Sequence, residues 1–197
     1  MKATVKRLIA ITGGIGSGKS VVAKALRVLG YPVFDCDSEA KAIMDNNEDI
    51  KGEIARRICN DAIKGGCIDR PTLASVVFAD AEKLAILNTI VHEAVKLRLA
   101  DWAKRQYSDT AFVETAILYQ SGLNNAVDAE WRVEAPEELR IARVMTRNNM
   151  SRDQVKDRIK AQNYAIPAEV PQPPVSRLLN DGKSPLLPRL LGLIAGL

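Results

Sequence analysis

The feature that most constrains this 197-residue chain is a glycine-rich segment between an apolar run and a helix-like stretch. Residues 13–20 read GGIGSGKS, and the preceding LIAIT at 8–12 predicts a buried β-strand. The following VVAKAL at 21–26 predicts the start of a helix. This order of strand, glycine loop and helix is typical of a site that binds polyphosphates. Glycines let successive N–H groups point inward toward the phosphates, and the helix N-terminus adds partial positive charge.

The G-x-x-x-x-G-K-S spacing assigns roles within this loop. Lys19 can reach the β- and γ-phosphates of a nucleotide, and the Ser20 hydroxyl can bind Mg²⁺. The residues predicted to contact ATP here are Gly14, Ile15, Gly16, Ser17, Gly18, Lys19, Ser20 and Val21. The segment does not match the three-glycine fingerprint of dinucleotide-binding proteins. With Gly14 and Gly16 as the first two glycines, the third would have to stand at position 19, where the chain has Lys19. A glycine-rich turn without a ligand is the alternative.

Composition narrows the class of protein. Three cysteines and one histidine favour reduced thiols over a disulfide framework or a structural zinc site. No apolar stretch is long enough for a membrane span or a signal-peptide core, which predicts a cytoplasmic protein without membrane contact. The net charge of +4 comes without a basic run interleaved with aromatics, so we expect a small polyanionic substrate and no nucleic acid.

Periodicity predicts an α/β protein in which strands and helices alternate. The predicted strands are 8–12, 31–34, 110–115 and 131–135. The predicted helices are 18–29, a segment capped by Ser38 that runs to Met44, 48–59, 73–107, a helix with Pro136 at its first position, 151–162 and 186–197. Consecutive strands joined by helices imply a parallel sheet with right-handed crossovers.

Two aspartates, Asp35 and Asp37, follow the second predicted strand. Ligands of parallel sheets bind at the carboxyl ends of the strands, so these carboxylates are expected in the same crevice as the phosphate loop. A kinase that acts on an alcohol needs a carboxylate to accept the hydroxyl proton. The alternative is that one or both cap the helix that begins near Ser38. A GTPase is excluded, because no N-K-x-D segment occurs.

Three arginines, Arg140, Arg143 and Arg147, fall on one face of a predicted helix. Arg147 lies at the corner between two helices, where a mobile lid can bring an arginine to the transferring phosphoryl group. We expect Arg140 to lie instead on a solvated face, paired with Glu137 or Glu138.

Taken together, these motifs resemble the dephospho-coenzyme A kinase family. The family reads T-G-G-I-G-S-G-K-S followed by D-A-D, and this chain has TGGIGSGKS at 12–20 and DCD at 35–37. Further matching segments are IDR at 68–70, VF at 77–78, the stretch around His92, MTR at 145–147, RIKAQ at 158–162 and Asn180. The resemblance covers nearly the whole chain in the right order.

The resemblance implies ATP-dependent phosphorylation of the ribose 3′-hydroxyl of dephospho-CoA, giving CoA and ADP. It also implies a P-loop kinase-like, three-layer α/β fold with a parallel sheet, in one domain covering residues 1–197. Within that domain it implies a helical acceptor-binding region at 68–106 and a small lid at 140–163. The implied partners are ATP with Mg²⁺ and dephospho-CoA, bound by a monomer.

The resemblance also implies roles for individual residues. It makes Asp37 the base, with Lys19 and Arg147 as the other catalytic residues, and it adds Arg143, Arg147 and the adenine contact Asn180 to the ATP site. The substrate-binding residues are then Thr12, Asp35, Asp37, Asp69, Phe78, His92 and Glu114. His92 could alternatively be an ordinary helix-surface histidine. Glu114 could act behind the metal or contact the acceptor.

Two other functions remain open from the sequence. One is a kinase of another small alcohol, such as a nucleoside or a sugar acid. The other is a nucleotide-binding regulatory module that switches without turnover. ADP formation that depends on dephospho-CoA would separate all three.

Overall fold

The computed structural model describes residues 5–162, 166 and 169–197. Its contacts divide the chain into two compact units, one made of Met1–Phe34 and Ala103–Leu197 and the other of Asp35–Trp102. In chain order the strands are β1 (Arg7–Thr12), β2 (Val33–Asp35), β3 (Ile63–Lys64), β4 (Cys67–Ile68), β5 (Thr110–Glu114), β6 (Ala129–Glu134) and β7 (Val175–Leu179). The α-helices are α1 (Lys19–Val28), α2 (Cys36–Asn46), α3 (Glu48–Arg57), α4 (Arg70–Ala79), α5 (Ala81–Lys104), α6 (Glu137–Asn148), α7 (Arg152–Gln162) and α8 (Leu186–Ala195).

The first unit is built on a five-stranded sheet with the order β2-β5-β1-β6-β7. The pairs β1–β5, β1–β6 and β6–β7 are parallel. In this register Ile11 lies opposite Glu114 on one side and Trp131 on the other. The carboxyl ends of β1, β5 and β6 therefore meet at one edge of the sheet, where the glycine loop begins.

The core of the first unit lies between the sheet and helices α1 and α8. Its fully or nearly fully buried residues include Ile9, Ile11, Val22, Ala23, Leu26, Phe112, Trp131, Val133, Leu178 and Leu190. The Phe112 ring packs against Tyr31 and Trp131, with ring centroids 5.5 and 5.0 Å away. Because side chains alternate along a strand, Thr12, Glu130 and Arg132 lie on the opposite face of the sheet.

The second unit consists of α2–α5 and a short antiparallel hairpin, β3–β4. Its core contains Ile54, Ile58, Ala62, Leu73, Val77 and Ile90. The helices begin at side-chain caps, which accept N–H groups that have no partner inside the helix. The capping residues are Asp35 for α2, Asn47 for α3 and Asp69 for α4.

The structure confirms the predicted α/β architecture and its parallel strands, and it corrects three local predictions. Asp35, not Ser38, caps α2, since its carboxylate accepts the N–H groups of the first turn. Pro136 precedes the first helical residue of α6 as its N-cap instead of occupying the first position. The helix predicted over 73–107 is two helices, because the side chain of Asp80 accepts the N–H groups of residues 82 and 83 and starts α5.

The domain boundaries stay predictions. The second unit, Asp35–Trp102, begins well before the acceptor-binding region predicted at 68–106. The last residue of the lid region predicted at 140–163 lies outside the described residues. Within the described part of the chain, no helix combines the length and apolarity that crossing a bilayer requires.

Candidate functional site

The loop between β1 and α1 has a backbone that only glycine can adopt at key positions. Gly13 has φ +139°, and a Cβ atom there would lie 2.2 Å from the Val133 carbonyl oxygen. Gly16 has φ +78°, and its Cβ would lie 2.6 Å from the carbonyl oxygen of Arg140. Both positions combine a left-handed conformation with close backbone packing, so any side chain would displace the loop.

Side chains hold three successive carbonyl groups of this loop, those of residues 15–17. The Arg140 Nε–H donates to the first at 2.9 Å, Arg143 Nη1 to the second at 3.3 Å and Asn180 Nδ2 to the third at 2.8 Å. Arg143 also donates to the Asn180 side-chain oxygen at 3.3 Å. Helix α6 and the end of β7 therefore fix the loop through its carbonyl groups. The structure thus brings Arg143 and Asn180 to the predicted ATP loop.

Lys19 and Ser20 open helix α1 directly after the loop, as the motif predicts. Lys19 is half-buried and Ser20 is exposed. Val21 is 58% exposed, and its N–H already donates to the Gly18 carbonyl at 3.0 Å. The predicted contact between ATP and Val21 stays a prediction.

Arg140 contradicts the expectation of a solvated face. Its side chain is half-buried on the loop, and a Cβ atom on Gly14 would lie 2.2 Å from Arg140 Nη2. Burial lowers the pKa of its guanidinium. The physical reason is packing, since Val144, one turn later on α6, is buried and also approaches the loop at Gly16.

Arg147 lies in the last turn of α6 and is exposed. Its Nε–H donates to the neighbouring Asn148 side chain at 2.8 Å. The helix ends at Asn148 and is capped by Asn149, whose φ of +50° is left-handed. Ser151 and Gln154 then exchange hydrogen bonds as the predicted capping box of α7. Arg147 therefore stands at the predicted corner between two helices, and its lid role stays a prediction.

Ser20 and Glu114 form an oxygen-rich pair in the first unit. The Ser20 hydroxyl donates to the Glu114 carboxylate at 2.7 Å, and Glu114 is buried at the end of β5. Mg²⁺ is typically held by one or two protein oxygens together with water and substrate phosphates. The Ser20 hydroxyl at the start of α1 and the Glu114 carboxylate at the end of β5 fit that requirement. No group of three or more His, Cys, Asp or Glu side chains gathers as a metal cluster in the described parts of the chain.

A buried network that the sequence analysis missed adjoins the loop. The Glu130 carboxylate, 1% exposed, accepts hydrogen bonds from Thr12 Oγ1 and Tyr119 Oη, both at 2.5 Å. Arg132 donates to it through Nε at 2.8 Å and Nη2 at 3.0 Å. Thr12, predicted to bind substrate, is thus buried and bound to Glu130. That substrate contact stays a prediction.

The titration of this network follows from its hydrogen bonds. Burial would raise the pKa of Glu130, but the hydrogen bonds from Arg132, Thr12 and Tyr119 together outweigh burial and hold its pKa below the usual range. Burial, followed by the hydrogen bond to Glu130, raises the pKa of Tyr119 to about 12. At neutral pH the group is therefore a carboxylate surrounded by donors.

A signal for this network was present in the sequence. Residues 130–134 read EWRVE, so charged and apolar side chains alternate along a strand that pairs on both sides. Strands of parallel sheets are usually apolar on both faces, so Glu130 and Arg132 mark a polar face. The predicted strand began at Trp131 and left Glu130 out.

A cavity of about 290 Å³ opens beside the loop. Its lining includes loop residues 12–14, Glu130, Arg132 and Arg140. Gln162, at the end of α7, also lines it, and its Oε1 accepts the Ile15 N–H at 2.6 Å. The first unit therefore presents a polar pocket with two guanidinium groups next to the phosphate loop.

The second unit contains the two aspartates that follow β2. The Asp35 carboxylate accepts the N–H groups of Asp37 and Ser38, both at 3.1 Å, and the Ser38 hydroxyl at 2.8 Å. The capping alternative is thus confirmed for Asp35. Asp37 lies exposed in the first turn of α2.

The remaining predicted acceptor residues also lie in the second unit. Asp69 caps α4 and pairs with Lys64, and the hydrogen bond from Lys64 lowers its pKa. Phe78 is 81% exposed at the end of α4. His92 is half-buried on α5, where burial, followed by the charge of Lys96, lowers its pKa. Acceptor contacts at these three positions stay predictions.

A groove of about 820 Å³ runs along helices α2, α3 and α5 of the second unit. Apolar side chains such as Ile43, Ile90 and Leu97 line it beside charged ones such as Glu39 and Arg98, which form an ion pair at 3.1 Å. Phe78 and His92 are not part of this lining.

A family model and the similar curated proteins name one family. A family model for dephospho-CoA kinase matches residues 7–166. A dephospho-CoA kinase of Bacteroides fragilis is 37% identical, over 95% of this chain and 91% of the relative. One of Thermus thermophilus is 40% identical, over 79% of this chain and 74% of the relative. Among solved structures, TT1252 from Thermus thermophilus aligns with a TM-score of 0.80 and 35% identity, covering 96% of each chain.

The Glu130 network predicts an acid-sensitive contribution to stability. Because the folded pKa of Glu130 lies below its ordinary value of 4.5, this contribution is complete above that value and is lost as the pH falls through the folded pKa. Glu130→Gln should lower the free energy of unfolding by about 1–3 kcal/mol at pH 7, because Arg132 loses its charged partner. The difference from wild type should shrink on acidification, measured by urea unfolding with tryptophan fluorescence.

An exposed carboxylate on α6 provides the control for this comparison. Glu137→Gln should change the free energy of unfolding by no more than about 0.5 kcal/mol. A Glu130→Gln deficit that stayed constant from pH 7 to below the ordinary pKa would contradict the proposed charge on Glu130.

Proposed function

The chain belongs to the dephospho-CoA kinase family, and on that basis we propose how its residues share the reaction. The protein is a kinase that transfers a phosphoryl group from ATP to the ribose 3′-hydroxyl of dephospho-CoA in coenzyme A biosynthesis. Its fold is the α/β fold of the P-loop kinases, with a parallel sheet and flanking helices. One observation carries the assignment of the ATP site: side chains hold the loop carbonyl groups of residues 15–17.

The ATP phosphates are assigned to this loop and to Lys19. A loop whose carbonyl groups are already bound to Arg140, Arg143 and Asn180 presents its remaining backbone donors in a fixed arrangement. Such preorganised donors stabilise developing charge without a reorganisation cost during the reaction. Lys19, the first residue of α1, adds its charge at the β- and γ-phosphates.

Ser20 and Glu114 are assigned to Mg²⁺, since their oxygens lie 2.7 Å apart. The ion, when bound with ATP, neutralises phosphate charge and orients the phosphoryl group. The buried Glu114 carboxylate orients the Ser20 hydroxyl. This assignment favours the metal alternative for Glu114 over direct contact with the acceptor.

Asp37 is assigned as the base that accepts the proton of the acceptor hydroxyl. Two observations support this assignment: the DCD segment at 35–37 matches the family's D-A-D motif, and the two aspartates have different surroundings at the end of β2. The oxygens of Asp35 are engaged with the start of α2, whereas Asp37 is exposed in the same turn. Asp35 then positions Asp37, and Asp37 meets the substrate.

Arg147 is assigned to a lid that closes over the transferring phosphoryl group. Its exposure and its place before the left-handed Asn149 leave the guanidinium able to reorient. The acceptor arm is assigned to the helical second unit, with Asp69, Phe78 and His92 as contacts. We further propose a monomer in the cytoplasm, where the thiols of Cys59 and Cys67 remain reduced.

Lys19→Ala tests the assignment of the phosphate loop. ADP formation that depends on dephospho-CoA should fall by at least about 10², because the variant loses the ammonium charge assigned to the β- and γ-phosphates. The measurement is coupled ADP detection with and without dephospho-CoA. Lys24→Ala, exposed on the same helix, is the matched control and should keep nearly full turnover. A Lys19→Ala enzyme within tenfold of wild type would refute the assignment.

The two aspartates can be separated with amide substitutions. Asp37→Asn removes basicity, so we expect kcat to fall by about 10² or more with little change in ATP affinity. Asp35→Asn keeps a side-chain oxygen that can accept the N–H groups of α2, so its loss should be smaller. Steady-state kinetics of both variants decide the matter. A larger loss in Asp35→Asn would reverse the two roles.

Arg147→Ala tests the lid assignment through the pattern of kinetic loss. An arginine that meets the phosphoryl group chiefly in the transition state should lower kcat and kcat/KM together when it is removed. Arg147→Lys should recover only part of the activity, because lysine lacks the planar fork. Arg152→Ala, which breaks only an exposed ion pair with Glu138, serves as the control. Equal, small effects at both arginines would remove Arg147 from the mechanism.

A further inference from the structure

Arg140 holds the loop through its Nε–H alone, and the rest of its guanidinium has no role in the proposed reaction. Its Nε–H is committed to the Ile15 carbonyl at 2.9 Å, which fixes the direction of the guanidinium. The Nη2 end lies over Gly14, where a Cβ atom would approach it to 2.2 Å. Gly14 and Arg140 both line the 290 Å³ cavity beside the loop. A fixed, half-buried cation therefore stands at the wall of a cavity that adjoins the phosphate loop.

Of the two arginines that line this cavity, Arg132 is paired with a carboxylate, whereas Arg140 has no ion-pair partner among the described residues. Glu130 and Arg132 neutralise each other through two hydrogen bonds, at 2.8 and 3.0 Å. Among residues 5–162, 166 and 169–197, Arg140 forms no ion pair within 4.0 Å, and Glu137 is the carboxylate that acts on it at longer range. A partly desolvated cation is stabilised by a bound anion more strongly than an exposed one is.

We propose that Arg140 contacts the transferring phosphoryl group of bound ATP and is a further catalytic residue of this kinase. The inference rests on the proposed function of the loop. Charge in phosphoryl transfer spreads over the three equatorial oxygens, and a planar guanidinium can donate to two of them. The bond to Ile15 holds the fork in place before the substrate arrives, which is the condition for effective electrostatic stabilisation.

The competing explanation is purely structural, with Arg140 serving only to hold the Ile15 carbonyl. Glutamine separates the two roles. Its Nε2 lies the same number of bonds from the backbone as the arginine Nε, so Arg140→Gln can still donate to Ile15 while it lacks the charged fork. Arg140→Ala loses both contacts. The two variants thus share the loss of charge and differ in the hydrogen bond to the loop.

The first measurement is steady-state kinetics with a thermal melt for each variant. For Arg140→Gln we expect an unchanged melting temperature, a KM for ATP within a few-fold of wild type and a kcat lowered by about 10²–10³. Arg140→Lys should recover part of kcat, because it restores the charge without the fork. A kcat of Arg140→Gln within fivefold of wild type would overturn the proposal. A raised KM for ATP with unchanged kcat would also overturn it.

The second measurement needs no acceptor, so it separates this inference from the acceptor assignment. ADP with aluminium fluoride presents a mimic of the transferring phosphoryl group. Wild type should bind this pair more tightly than ADP alone, and Arg140→Gln should lose at least tenfold of that preference while binding ADP normally. Retention of the full preference would overturn the proposal. A wild-type protein that shows the preference but forms no ADP with dephospho-CoA would instead refute the proposed acceptor.

Discussion

The conformation of the glycine loop, to which ATP is assigned, depends on hydrogen bonds to the loop's carbonyl groups. Glycines allow the loop to curl, but flexibility alone would leave many curled states, and ordering each residue costs about 1–2 kcal/mol of backbone entropy. Arg140, Arg143 and Asn180 select one of these states through the carbonyls of residues 15–17. Two of these donors come from α6 and one follows β7. The loop conformation is therefore set by chain segments more than 100 residues away in sequence.

The two faces of the sheet are stabilised by different interactions, apolar burial on the core face and hydrogen bonds on the face that carries Glu130 and Arg132. Ile9, Ile11 and Phe112 are stabilised by apolar burial against α1 and α8. On the other face, Glu130 is buried yet ionised, and it relies on three donors to remain so. Compared with a pair of apolar side chains, such a buried ion pair adds little net stability, although removal of one partner is destabilising. The charge also directs the hydroxyls of Thr12 and Tyr119 toward one point. The polar face thus gives the wall of the loop cavity a fixed arrangement of polar side chains.

Much of the fold could be predicted from local pattern. The motif at 13–20 fixed the order of β1, loop and α1, and the capping box at Ser151 located the start of α7. The placement of Arg140 could not be predicted in this way. Spacing puts Arg140, Arg143 and Arg147 on one helix face, but which of them meets the loop depends on how α6 packs through Val144. The same limit applies to Asp35, whose capping role depends on Cys36 starting a helix immediately after β2.

The hydrogen bond between Gln162 and Ile15 lowers the free energy that ATP can gain by binding to the loop. The Ile15 N–H, one of the donors assigned to ATP, is already satisfied by the Gln162 amide oxygen at 2.6 Å. On the proposed binding mode, a phosphate oxygen takes over this donor, so binding exchanges one acceptor for another and gains only the difference between a charged and a neutral partner. The Gln162 amide oxygen therefore holds the Ile15 N–H of the loop in a fixed direction. On that binding mode, ATP binding breaks the hydrogen bond that joins the last turn of α7 to the loop.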